Sequence, residues 1–118
     1  MLRVIGQCND RATRIENCVG ESAANPYLYL ASQIHAGLDG LRQQLRAPCA
    51  TGAPHCETAE KLPISLSGAL QALRSDAVCC QGFGHDFINV FDRIKQAEIT
   101  RHVQVEDPSE WQRREYFG

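Results

Sequence analysis

Three sets of side chains in this sequence could do chemistry: six cysteines, four histidines and one alternating run of charge. The run Arg14-Ile15-Glu16-Asn17-Cys18-Val19 alternates strictly. In an extended strand Arg14, Glu16 and Cys18 share one face, with Ile15, Asn17 and Val19 on the other. An Arg-x-Glu face can bind a charged ligand. It can equally be a solvated ion pair, which is worth little. The residues alone leave both readings open.

The cysteines (Cys8, Cys18, Cys49, Cys56, Cys79, Cys80) contain no C-x-x-C pair. Adjacent Cys79 and Cys80 suit neither tetrahedral zinc ligation nor ordinary disulfide pairing. Reduced thiols acting as small hydrophobes are the expectation. His35 falls near the apolar stripe of a helix, and His55, His85 and His102 read as surface or cap positions. A catalytic histidine needs a partner and a pocket, and the spacing shows neither.

The elements that must position these residues begin with two strands, about 2–5 and 14–19, joined by a turn-like stretch over 7–13. A long helix follows, capped by Asn25 with Pro26 at its first position. Tyr27, Leu30, Ala31, Ile34, Leu38, Leu41 and Leu45 recur on it at helical spacing, and Pro48 ends it. Gly37 and Gly40 lie inside it at a cost of up to ~1 kcal/mol each, which predicts close packing there. Residues 47–63 read as an irregular loop.

Ser65 caps a shorter helix with Leu66, Ala69, Leu70 and Leu73 inward. Gly68 stands where a capping box would place Glu or Gln. Asp76 caps a short turn through Val78, and Gln81-Gly82-Phe83-Gly84 breaks the pattern. The next helix runs from about His85 to Val105 with Phe87, Val90, Phe91, Ile94 and Ala97 inward. Asp107-Pro108-Ser109-Glu110 opens a last helix carrying Trp111, Tyr116 and Phe117. The fold class expected is α+β, mostly helical: two N-terminal strands, then about four helices. A two-stranded ribbon is marginal alone, and the sequence offers it no further strand.

Composition bounds the function. At 118 residues the chain makes one domain at most. It is 43% hydrophobic and 22% charged, an ordinary globular balance. Twelve Lys and Arg against fourteen Asp and Glu give a net charge of -2, which argues against a nucleic-acid partner. No apolar run approaches the ~20 residues of a membrane helix. The start lacks the apolar core of a signal peptide, so a cytoplasmic location is expected.

Several motifs together carry a resemblance. Arg14-Ile15-Glu16-Asn17, then Ala23-Ala24-Asn25-Pro26-Tyr27-Leu28, then Ala36-Gly37-Leu38-Asp39-Gly40-Leu41 are specific. Leu62-Pro63, Ser65-Leu66 and Ala69-Leu70-Gln71-Ala72-Leu73 extend the pattern. So do Phe87 to Ile94, Lys95, Glu98 and the Trp111 to Phe117 end. Over about residues 2–117 the chain resembles the C-terminal part of the glutamine synthetase family. The resemblance implies that residues 1–118 are the C-terminal portion of that family's catalytic domain. The family's N-terminal β-grasp domain and the first part of its catalytic domain have no counterpart here.

The family joins glutamate to ammonia or another amine using ATP. ATP phosphorylates the side-chain carboxylate, and the amine displaces phosphate. By resemblance, Glu16 matches a strand carboxylate that binds a divalent metal beside the ATP phosphates. A hard oxygen ligand suits Mg²⁺ or Mn²⁺. Arg14 matches an arginine that contacts ATP, and Arg3 one that contacts phosphate during transfer. Arg11 falls where some members carry a basic residue near the nucleotide. Cys18 departs: the family pattern has an arginine there that contacts the glutamate carboxylate or the acyl phosphate. A cysteine cannot supply that planar, permanently charged fork of donors, so this substrate-binding position is lost. There is also no tyrosine between residues 30 and 115, so the adenylylation of some bacterial members does not carry over.

These readings predict a fragment of a ligase, inactive by itself, because one metal carboxylate cannot build a two-metal site. It is expected to bind no cofactor tightly. Its partners would be further copies of itself or full-length ligase subunits. The alternative is a non-enzymatic module that docks on a full-length subunit. A small metal or redox protein using the six cysteines is a third reading. Which amine the parent chemistry would accept is set by residues outside this chain.

Overall fold

A computed structural model of the chain describes residues 2–47 and 61–118. The expected loop over 47–63 and the cysteines Cys49 and Cys56 fall largely or wholly outside the described residues.

The strands pair as an antiparallel ribbon: β1 (Leu2–Ile5) lies against β2 (Arg14–Asn17). The register sets Leu2 opposite Asn17, Arg3 opposite Glu16, Val4 opposite Ile15 and Ile5 opposite Arg14. The second strand therefore ends at Asn17, two residues before the expected 19. Its partner strand begins at Leu2, so no residue of β1 lies opposite 18 or 19. The Asn17 side chain also accepts the Val19 amide at 3.0 Å, a local turn that competes with strand pairing.

Helix α1 (Pro26–Arg42) starts where its cap predicts: Asn25 Oδ1 accepts the amides of Tyr27 and Leu28. It ends at Arg42, before Leu45. Gln44 takes a left-handed φ of 51°, the Leu45 amide bonds back to Gly40 and the Gln44 amide to Leu41. That is a Schellman stop, usually marked by glycine. Here glutamine fills the position, so no glycine signalled the end.

Helix α2 (Leu66–Ser75) is capped by Ser65, whose Oγ accepts the Gly68 amide at 3.1 Å. The stretch expected as a turn and a break is a further helix, α3 (Ala77–Phe83), capped by Asp76. Only Gly84, with a φ of 85°, interrupts the chain before α4 (His85–Val103). Helix α5 (Pro108–Phe117) begins on the Asp107 cap. The class is α+β and mostly helical as expected, with five helices where about four were expected.

The helices pack as α1 on α3, α2 on α3 and α4, α3 on α4, and α4 on α5. The small core among the described residues holds Leu70, Cys80 and Ile88, each buried, and Glu98 is buried further along α4. Helix α4 is turned from the expected orientation. Its packed row runs through Ile88, Phe91, Lys95 and Glu98, whereas Phe87, Val90 and Ile94 are exposed. The helix packs on α2, α3 and α5 through a mixed row, in which Lys95 and Glu98 pair with each other, and not through its apolar stripe. Close packing at Gly37 and Gly40 is not found: a Cβ at either would meet nothing within 4 Å. The tight approach is at Gly82 instead, where a Cβ would lie 2.6 Å from the His35 ring.

Much apolar surface stays uncovered. Tyr27, Leu30, Ile34, Leu38 and Leu41 on α1 are all exposed, as are Leu2, Val4 and Ile15 on the ribbon. The radius of gyration is 17.2 Å, against roughly 13.5 Å for a compact chain of this length.

Candidate functional site

The ribbon brings three of the expected site residues together. Arg3 on β1 and Glu16 on β2 are directly opposed, and Arg14 lies two residues before Glu16 on the same face. Arg3 Nη2 is 3.0 Å from Glu16 Oε2. Arg14 Nη2 donates to Glu16 Oε1 at 3.3 Å, and its Nη1 donates to the Ala12 carbonyl at 3.3 Å. One carboxylate thus lies between two guanidiniums. The Glu16 side chain is 32% exposed and both arginines are more than half exposed. Such a surface cluster adds little to stability. It does present a net positive face with guanidinium donors to spare, since each guanidinium carries five N–H groups.

Arg11 is exposed in the turn between the strands. Cys18 lies one residue past the end of β2 and is exposed and unpaired, as is Cys8. Cys80 is buried and donates weakly to the carbonyls of Leu73 and Arg74. Burial pushes the Cys79 thiol above its ordinary value, and the Asp76 charge adds to this. A thiol so shifted is less nucleophilic at neutral pH. Among the described residues no three His, Cys, Asp or Glu side chains are grouped to hold a metal.

The histidines also find packing roles. His35 meets the Phe83 ring edge-on at 5.3 Å, and His102 meets Trp111 at 5.5 Å. Phe83, Phe87 and Phe91 stack in series along α3 and α4.

The second polar cluster was not assembled by sequence reasoning. Glu98 is only 8% exposed. Lys95 Nζ donates to both its oxygens, at 2.9 and 2.8 Å, and Tyr116 Oη donates at 2.6 Å. Burial alone would raise the Glu98 value. The bonds from Lys95 and Tyr116 outweigh it and hold the carboxyl below its ordinary range. Burial would lower Lys95, but its bond to Glu98 outweighs that and raises it. Tyr116 is raised, chiefly by its bond to Glu98 and then by burial. The i,i+3 spacing of Lys95 and Glu98 was legible. Their union with Tyr116 depends on how α5 folds back over α4.

Lys95 and Tyr116 also line a cleft of about 900 Å³, with Ala24, Leu28, Tyr29 and Phe91. None of Arg3, Arg14, Glu16 or Cys18 lines it. No described helix is long and apolar enough to cross a membrane.

Comparison with known proteins adds a family. Residues 1–116 match the family described as glutamine synthetase, catalytic domain. The chain is 39% identical to gamma-glutamylanilide synthase of Acinetobacter sp, over all of this chain and 26% of that protein. It is 38% identical to human lengsin, over 76% of this chain and 18% of lengsin. It is 34% identical to glutamine synthetase of Staphylococcus aureus strain MW2, over 90% of this chain and 25% of that enzyme. The chain therefore spans about a quarter or less of the length of these relatives.

Proposed function

Because the chain belongs to the glutamine synthetase catalytic-domain family, we propose that it carries the phosphate-side strands of an ATP-dependent amide-forming site and is not itself a working ligase. The observation that carries this reading is the pairing of Arg3 and Arg14 around Glu16 on one ribbon face. In the parent chemistry ATP would phosphorylate the side-chain carboxylate of glutamate, and ammonia or another amine would displace phosphate. Transfer of this kind depends on positioning and on neutralising phosphate charge. Arg3 and Arg14 are suited to grip phosphate oxygens, because guanidinium forks match them in geometry and charge.

The described residues do not fit a divalent cation by themselves. Mg²⁺ and Mn²⁺ favour about six oxygens, and Glu16 offers one carboxylate whose two oxygens already face guanidiniums. Cys18 supports the same conclusion, because a short neutral thiol cannot hold the glutamate carboxylate. On this reading residues 1–118 are the C-terminal portion of the catalytic domain, and any ATP binding by the chain is weak.

Two assays test the proposal on the purified chain. ATP titrated into the labelled protein should shift the signals of Arg3, Arg14 and Glu16, and Arg14→Ala should weaken that binding several-fold. Absence of any shift would remove the phosphate reading. ATP-dependent formation of a glutamyl amide by the chain alone would overturn the claim of inactivity.

A second reading has its own observation. The uncovered α1 stripe, with open space beside Gly37 and Gly40, favours a module that docks on a full-length subunit of the same family. Recovery of such a subunit with the chain at fixed stoichiometry supports it. Failure to bind the purified full-length enzyme removes it.

A further inference from the structure

The ribbon has two open edges. Among the described residues no third strand pairs with β1 or β2, and no helix packs on either strand. An open edge presents unpaired backbone N–H and C=O groups to any strand of matching pattern.

The β2 edge matches itself. Its central residues read positive, apolar, negative: Arg14, Ile15, Glu16. Turned antiparallel about Ile15, the strand sets Ile15 opposite Ile15 and Arg14 opposite Glu16 twice. Strand β1 has Arg3 and no acid, so it has no such match. We propose that two copies of this chain pair through their β2 edges about a twofold axis at Ile15, forming a four-stranded sheet in the order β1, β2, β2, β1.

The observed register fixes what each face of that sheet would show. Val4 is opposite Ile15, so one face carries Val4, Ile15, the partner's Ile15 and the partner's Val4 in an unbroken row. In the single chain Val4 is 76% and Ile15 71% exposed. The other face carries Arg3, Glu16 and the partner's Arg14 in a row. Each carboxylate then lies between guanidiniums on the two neighbouring strands. Directly opposed residues have their Cβ atoms about 4.5–5.5 Å apart, so Arg14 gains a second carboxylate beyond the 3.3 Å bond it makes within its own strand.

Other registers are penalised. Moving the pairing by one residue sets Ile15 against a charge and mixes the two faces. Moving it by two sets Arg14 against Arg14 or Glu16 against Glu16. Like charges directly opposed are destabilising. Charge and the apolar row therefore select the same arrangement. This inference does not rest on the ligase reading, although it would place the partner's Arg14 beside Glu16.

Sedimentation of the full chain over a range of concentrations tests it. The expected result is a monomer-to-dimer transition that weakens as salt rises. Ile15→Lys, at a side chain 71% exposed in the single chain, should move the midpoint at least tenfold upward, and so should Arg14→Glu. Ile34→Lys on the α1 stripe should leave it unchanged. Amide exchange on the unaltered protein should show protection at residues 14–17 that grows with concentration, whatever the variants do to folding. A monomer at every concentration overturns the proposal. So does a dimer that survives Ile15→Lys and Arg14→Glu, or one without that protection.

Discussion

Tyr116 ends the chain's only three-membered polar cluster around a buried carboxylate among the described residues, and its hydroxyl bond of 2.6 Å to Glu98 holds α5 to α4 together with the Arg101–Glu115 ion pair and the His102–Trp111 contact. Removing that hydroxyl by Tyr116→Phe should cost about 1.5–3 kcal/mol, the range for a bond to a charged group, with local loosening of α5 visible by amide exchange. The pH dependence has a definite sign. Glu98 is lowered from 4.5, so its contribution is complete above that value and is lost as acid carries the pH through the lowered one. Tyr116 is raised from 10.0 and Lys95 from 10.5. Their contributions are complete below those values and are lost as alkali passes the raised ones. Unfolding of the wild type should therefore show acid and alkaline limbs, and Tyr116→Phe should flatten the alkaline limb. The triad of Arg3, Arg14 and Glu16 was legible because period-two alternation sets the face and the family resemblance supplied Arg3. The Glu98 cluster was not, because Tyr116 lies 18 residues from Glu98 and only tertiary packing joins them.

At the level of elements, caps were the most readable feature. Asn25, Ser65 and Asp107 each cap a helix as the sequence indicates, and Asp76, read as the cap of a short turn, caps the helix α3. Stops and faces were less so. Gln44 closes α1 without a glycine, and α3 continues through Gly82 because that glycine admits the His35 ring. The glycines now separate in their expected behaviour. Gly37→Ala meets no neighbour and should stabilise the helix by up to about 1 kcal/mol. Gly82→Ala forces a Cβ against His35 and should destabilise by about 1–3 kcal/mol, as overpacking does. Thermal unfolding of the two variants beside the wild type checks both signs. The orientation of α4 was not legible, because its packed row includes the charged pair Lys95 and Glu98, which apolar periodicity does not mark.

For the whole molecule, exposed surface is the governing quantity. The chain leaves 10231 Å² accessible, where a compact protein of its mass exposes roughly 6,400 Å². Among the described residues three buried apolar side chains make a core too small for strong cooperativity. Thermal unfolding of the dilute chain should be broad, with a hydrophobic dye bound before the transition. A sharp transition without dye binding would show that the uncovered α1 and ribbon faces find cover in solution. Fold class was readable from sequence at this scale, because it needs only the kinds of element present. The extent of burial was not, since apolar periodicity marks which face seeks cover and not whether cover is there.

The ribbon and the helices are linked by the connecting chain, and across space by a bond from the Asn17 side chain to that of Gln33 at 2.8 Å. Coupling between distant sites is carried by packed or hydrogen-bonded groups, and among the described residues no packed row joins β1 or β2 to a helix, which leaves that one exposed bond. The two parts are therefore weakly coupled in opening. The ribbon can close on its own timescale of about 1–10 μs, and amides in β2 can exchange without any helix unfolding. A phosphate taken up between Arg3 and Arg14 would rigidify eight strand residues and, among the described residues, reach the helices across space only through the Asn17 to Gln33 bond.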